Sequence, residues 1–270
     1  MMISNIENSF FYFQREEILV KYNQEVNAMW AWLFVCFIVG IAIYGIVPTI
    51  IIRKKRVRLF REGTASDCLA LTFDDGPDPY YTPKLLDLLK KYGVKATFFV
   101  VGRKVERYPD IVRRMAEEGH EIGIHNYRHI SNWLLPPLWL DWGVRRAAKA
   151  IERATGQRPV YYRPPWGHFN AWTPIVQKRY TTVLWSHILG DWNEKIGTME
   201  LFHRLRSSIR GGAVIVLHDN GDALGADKRA PEQMLSALEL LFKDEAAKKM
   251  RWVTITELRN VQTNTQISAM

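Results

Sequence analysis

Past residue 67 the chain alternates short β-rich runs with helical patterns, an order that resolves into a parallel sheet whose strands are joined by crossover helices. Seven runs read as strands, at 68–73, 96–101, 121–125, 160–163, 182–185, 213–217 and 252–255. Helical patterns fall between them. The one at 82–92 sets Leu85, Leu86, Leu88 and Leu89 on a broad apolar face, and the one at 109–119 ends in a glycine. No internal repeat or low-complexity segment interrupts the pattern.

Five short segments carry the chemistry: Thr72-Phe-Asp-Asp-Gly-Pro77, His125-Asn-Tyr-Arg-His129, Arg163-Pro-Pro-Trp-Gly167, Asp191-Trp192 and Leu217-His-Asp219. A lone Asp-Asp-Gly-Pro is usually a turn, and a lone His-x-x-x-His is often one face of a helix. What gives these segments weight is their placement. Asp74 and Asp75 follow the first strand, His125 ends the third, Arg163 ends the fourth, Asp191 follows the fifth and His218 ends the sixth. In an α/β sheet the carboxyl ends of the strands form one mouth, whereas chance turns would scatter over both ends.

Two imidazoles and one carboxylate hold a divalent ion while leaving positions open for water and substrate, the pattern of a catalytic rather than a closed structural site. Asp75, His125 and His129 are the candidate ligands. Hydrolysis of an amide there needs a base and an acid, and Asp74 and His218 are the candidates for those roles. Asp191 is expected to orient the His218 ring and favour its protonated form. Because the acid must be protonated, activity is expected to fall at alkaline pH. Pro165, Trp166, Trp192 and Leu217 are the expected substrate contacts, an apolar wall for a sugar face and an acetyl methyl group. His120, His168, His187 and His203 match no motif and read as structural or solvated.

These segments, in this order and spread over Cys68 to about Leu258, resemble carbohydrate esterase family 4, the polysaccharide deacetylases with a NodB-homology domain. The resemblance implies a distorted (β/α)7 barrel that binds a divalent metal, usually zinc, and removes acetyl groups from sugars. It assigns Asp75, His125 and His129 to the metal, pairs Arg163 with the catalytic base, and gives the backbone N–H of Trp166 to the oxyanion. A bidentate Arg163 is expected to fix the Asp74 carboxylate. The chain departs from the family pattern twice. Asn126 stands where a Ser or Thr usually follows the first metal histidine, and Ile188 stands where many relatives carry a second acid. Neither change removes a ligand or a catalytic group. The implied partner is an acetylated amino-sugar polymer or glycolipid. O-deacetylation is the nearest variant, sharing every residue. A non-haem iron oxygenase would also suit two His and one carboxylate but has no use for the Asp74/His218 pair. A catalytically silent membrane sugar-binding protein is the third alternative.

Upstream, residues 29–52 form an uncharged, strongly apolar run long enough to cross roughly 30 Å of hydrocarbon as a helix. A cleaved signal peptide fits poorly: the preceding stretch is long and acidic, with Glu7, Glu16, Glu17 and Glu25 against Arg15 and Lys21, and no small-x-small site follows. Arg53, Lys54, Lys55, Arg56, Arg58 and Arg61 contribute six of the net charge of +9. The excess is therefore juxtamembrane, not a nucleic-acid surface. The expected organisation is an N-terminal segment 1–28, a membrane helix 29–52, a basic linker 53–66, a catalytic domain 67–260 and a tail 261–270. The basic cluster after the helix places the catalytic domain in the cytoplasm, while the resemblance places it outside. Cys36 lies in the apolar run and Cys68 opens the first strand, so a disulfide between them is not expected. The apolar stretch Trp133-Leu-Leu-Pro-Pro-Leu-Trp-Leu140 reads as packing on the barrel or, alternatively, as dipping into the membrane interface beside the helix.

Overall fold

Every strand pairing in the computed structural model is parallel. The structure describes the backbone of residues 2–268 and the side chains of residues 19 and 21–261. The strands are β1 (Leu59–Phe60), β2 (Cys68–Asp74), β3 (Ala96–Val100), β4 (Glu121–Ile124), β5 (Tyr161–Tyr162), β6 (Thr181–Val183), β7 (His187–Ile188), β8 (Val214–His218) and β9 (Arg251–Trp252). Their order is β1-β6-β5-β4-β3-β2-β8-β7, with β9 paired to β2. No pairing among the described residues joins β1 to β7, so the sheet curls into an open half-barrel. The expected (β/α)7 fold is the one observed. β1 and β7 are additions to it, two residues each and too short to show a period.

Strand alternation sorts the side chains. In β2, Leu69, Leu71 and Phe73 face the large core, against Leu85, Leu86 and Leu89 of helix Tyr81–Lys91. Cys68 and Ala70 face the other way, into a cluster that includes Ile255 and Leu258. That second cluster closes one end of the half-barrel. Asp74, last in β2, stands beside His218, last in β8, at the opposite end.

The apolar N-terminal run is helical from Met2 to Ile41, passes through a π-helical turn at Ala42–Ile46, and continues as Val47–Lys55. Residues 21–55 are long and apolar enough to cross a membrane. The last turns do not project freely. Gly45, Thr49 and Ile52 are buried against the barrel, whereas Ile46, Val47, Ile50 and Ile51 stay exposed. The π-turn has a use here: the Tyr44 carbonyl accepts from the Ala171 amide at 2.8 Å. The expected linker 53–66 is likewise not a free segment, because Leu59–Phe60 form the edge strand beside β6.

Candidate active site

The site sits where β2, β4, β5 and β8 end. Asp75 follows β2, His125 follows β4, and their ligand atoms with those of His129 all lie within 4.8 Å of one another. Asp75 Oδ1 is 3.2 Å from His125 Nε2 and 3.0 Å from His129 Nε2. His125 Nδ1 lies 2.8 Å from the Arg163 carbonyl oxygen. A carbonyl can only accept, so Nδ1 carries the proton and the Nε2 lone pair faces Asp75. Asp75 Oδ1 is buried with no hydrogen-bond donor. A buried carboxylate oxygen without a donor, facing an imidazole lone pair, is a pair of atoms awaiting a cation, so the donor set fits a divalent metal.

Asp74 and His218 flank this cluster. Arg163, fully buried, donates from Nη1 to Asp74 Oδ1 at 2.6 Å and to Thr72 Oγ1 at 2.8 Å. Its Nε and Nη2 go to the carbonyls of Val183 and Leu184, and its Cζ stands 4.0 Å over the Phe99 ring. The expected bidentate pairing is thus a single bond, because the rest of the fork is spent on the backbone of Val183 and Leu184. Burial pushes the guanidinium below its ordinary value even though Asp74 acts to raise it.

Asp191 is fully buried under His218. It accepts from the His218 backbone N–H and lies 3.1 Å from the ring Nδ1. Burial alone would lower the imidazole, but the charge and hydrogen bond of Asp191, then the charges of Asp75 and Asp74, carry it up to about 10.

Three of the residues around the site hold left-handed backbones without being glycine: Asp75 (φ 75°), Asn126 (φ 59°) and Trp166 (φ 54°). Such strain persists only where surrounding contacts fix it. Asn126 shows how. Its Nδ2 donates to the Ile130 carbonyl and to Asn132 Oδ1, and its Oδ1 accepts from the Tyr162 hydroxyl. Asn is among the few residues at ease in this conformation, so the departure at this position keeps the 125–130 loop tied.

The cleft over these groups is lined by Trp166, Trp185, Ile188, Trp192, Val216 and the segment Ala223–Ala226. Of the expected substrate contacts, Trp166 and Trp192 line it. Leu217 does not: alternation along β8 turns Val216 and His218 to the cleft and sends Leu217 into the core. Pro165 is buried behind Trp166 and is not part of the lining. Ile188, in place of an acid, is exposed at the rim.

His168, expected to be structural or solvated, lines the cleft. Its ring stacks on Trp133 at 3.8 Å and its Nδ1 is 2.9 Å from Ser131 Oγ. Sequence reasoning also passed over Lys104, whose Nζ donates to the Asp75 carbonyl at 2.8 Å. Asp219, which closes the last motif, is buried beside Gly76 with one carboxylate oxygen unpaired. Burial raises its carboxyl to about 7 although the Thr82 hydroxyl bonds to it. Its adjacency to His218 in the motif was the available signal.

The polysaccharide deacetylase family matches residues 61–183 of this chain. A peptidoglycan-N-acetylglucosamine deacetylase of Bacillus cereus is 34% identical over 194 residues, covering 70% of this chain and 87% of that protein. A chitooligosaccharide deacetylase of Bradyrhizobium sp. is 34% identical over 179 residues, covering 64% of this chain and 78% of that protein. Among solved structures, the peptidoglycan deacetylase PdaC of Bacillus subtilis aligns with a TM-score of 0.66 at 30% identity, over 76% of this chain and 95% of that one. Matched in sequence over most of its length and in the half-barrel that carries the Asp-His-His cluster, the chain belongs to the polysaccharide deacetylase family.

Proposed function

We propose that this chain is a membrane-anchored, metal-dependent carbohydrate deacetylase that hydrolyses the N-acetyl group of an amino sugar to acetate and a free amine. One observation carries the reading. Asp74 and His218 stand side by side on adjacent strands, flanking the Asp75/His125/His129 cluster, and each is held by a buried partner of opposite character, Arg163 and Asp191.

When bound by Asp75, His125 and His129, a divalent cation, zinc by analogy with the family, supplies Lewis acidity that polarises the acetyl carbonyl and acidifies water. Asp74, aimed by its Arg163 bond, accepts a proton from the attacking water. The Trp166 backbone N–H, presented by the strained 165–167 turn, donates to the developing oxyanion. His218, kept protonated by Asp191, gives its proton to the nitrogen as the carbon–nitrogen bond breaks. Trp166 and Trp192 flank the cleft as apolar faces for a pyranose ring.

The relatives named for peptidoglycan and chitooligosaccharides support an acetylated amino-sugar substrate and an extracytoplasmic catalytic domain. The basic cluster that argues for the opposite orientation has structural employment: Arg53 and Arg61 bond to barrel carbonyls and Arg56 pairs with Glu62. Protease accessibility of the C-terminal domain in intact against lysed cells decides the side. The activity is tested by acetate release from N-acetylchitooligosaccharide. Release that survives chelation, or the Asp75→Ala substitution, would sink the mechanism.

A further inference from the structure

The apolar helix docks beside the cleft rather than far from it. Gly45 lies against Trp133, which stacks on the cleft-lining His168, and Thr49 Oγ1 bonds to both backbone groups of Phe169 and to the Trp133 indole N–H. Where the helix meets the barrel, Tyr44 donates to the Leu135 carbonyl, and Leu134, Leu138 and Trp139 around that point are exposed. Their apolar surface continues that of the helix. A bilayer crossed by the helix would therefore lie at the side of the cleft mouth, whose rim carries exposed Ile188 and Leu224.

Two guanidiniums contact the cleft-lining Trp166 and Trp185. Arg53 Nη2 is 3.4 Å from the Trp166 carbonyl and its Cζ is 5.8 Å from the centre of the Trp185 ring; Arg61 Nε donates to the Trp185 carbonyl at 3.0 Å. They are close enough for their charges to repel. Arg53 also reaches the cleft electrostatically, since burial and then its charge depress His168. Nearby, Arg56 and Arg210 both pair with Glu62, yet among the described residues neither Arg53 nor Arg61 has a carboxylate partner. Two like charges gathered without an acid lack a counter-ion, and guanidinium forks match phosphate oxygens in geometry as well as charge.

We propose that the cleft takes its acetylated sugar from a phosphate-linked glycolipid held in the same bilayer, with the phosphate bound between Arg53 and Arg61. The proposal rests on the deacetylase reading and names its substrate class. A sugar joined through phosphate to a lipid places an acyl or prenyl tail in the membrane, the phosphate at the helix end and the sugar over the Asp-His-His cluster. These are the three zones the structure puts in sequence.

The test uses the full chain, loaded with zinc and reconstituted in phosphatidylcholine vesicles. Two substrates are compared: N-acetylglucosamine 1-phosphate esterified to a long-chain alcohol, and the neutral glycoside of the same alcohol. Wild type is expected to prefer the phosphate ester by roughly tenfold in kcat/KM, mostly through KM. Arg53→Gln with Arg61→Gln is expected to bring that ratio to about one, and the paired Lys variants to keep part of it. An indifferent wild type, or a ratio the double substitution leaves alone, overturns the proposal. So does a result in which phosphatidylglycerol in the vesicles speeds the neutral glycoside to the rate of the phosphate ester and the double substitution removes that gain. In that case the arginines serve bulk headgroups. Wild type that releases acetate from neither lipid nor from soluble N-acetylchitooligosaccharide defeats the deacetylase reading, and this proposal with it. That pattern is distinct from activity on soluble sugar without preference.

Discussion

Asp191 holds His218 at two points, accepting from its backbone N–H at 2.6 Å through Oδ2 and facing its ring Nδ1 at 3.1 Å through Oδ1. The first contact fixes where the residue sits and the second fixes the ring and its proton. With Nδ1 committed to Asp191, only Nε2 is free to deliver a proton into the cleft.

The pH dependence follows from that pairing. The folded-state pKa of His218 rises from the ordinary 6.5 to about 10, so the acid form persists through neutral pH and is lost as pH climbs toward that value. A bound cation pulls the alkaline limb down, which makes the difference between two proteins the useful quantity. Asp191→Asn removes the largest raising influence and leaves only the charges of Asp75 and Asp74 to oppose burial, so its alkaline limb is expected at least one pH unit below that of wild type. Profiles of kcat/KM on N-acetylchitooligosaccharide check this, and superimposable limbs would contradict the assignment of His218 as acid. The pairing's contribution to stability has the same sign: fully present below about 6.5, and lost as pH rises toward 10.

Arg163 is not replaceable by lysine. Its donors serve Asp74, Thr72 and the carbonyls of Val183 and Leu184, and an ammonium cannot reach all of them. Arg163→Lys is expected to lower kcat by about 10- to 100-fold and to cost roughly 2–4 kcal/mol of stability from buried acceptors left unpaired. Denaturant unfolding and steady-state kinetics measure the two effects. Wild-type kcat in a folded variant would show that Asp74 needs no partner.

Much of this site was legible because the chemical residues lie at or shortly past the carboxyl ends of strands, and strand ends can be read from runs such as Cys-Leu-Ala-Leu-Thr-Phe at 68–73. What was not legible depends on packing between distant segments. His168 joins the cleft only through its stack on Trp133, and Lys104 only because the helix after β3 turns its ammonium onto the Asp75 carbonyl. Leu217 was misplaced because hydrophobicity does not say which face of β8 meets the cleft; His218, one residue on, settles it by alternation. The docking of the helix was hidden in an apolar run whose Gly45, Thr49 and Ile52 share one face, a stripe visible only once a partner surface is known.

Metal retention should depend on the carboxylate more than on either imidazole alone. Asp75 Oδ1 lies within reach of both histidines and has no other partner. Chelation is expected to lower deacetylation by on the order of a thousandfold, with zinc restoring it. Asp75→Ala is expected to purify with far less than stoichiometric metal by elemental analysis. Full metal content in that variant would move the binding site elsewhere.

Docking of the N-terminal apolar helix rests on small groups that fit and polar groups that pair. A Cβ added at Gly45 would stand 2.6 Å from Trp133 Cδ1, so Gly45→Val must push Trp133 off His168 or the helix off the barrel. Overpacking of that kind costs about 1–3 kcal/mol. Thr49→Val keeps the shape but strips the acceptor of the Phe169 amide and the Trp133 indole and the donor to the Phe169 carbonyl, costing roughly 2–4 kcal/mol. Ile50 lies one residue further along the same helix but is exposed, so Ile50→Ala is the matched control and should be nearly neutral in detergent. Thermal unfolding of the full chain in micelles compares the three. Because Trp133 backs the cleft wall through His168, Gly45→Val and Thr49→Val should also raise KM, while Ile50→Ala should not. Equal behaviour of all three would mean that the helix is only a tether and that the contacts at Gly45 and Thr49 do not couple it to the site.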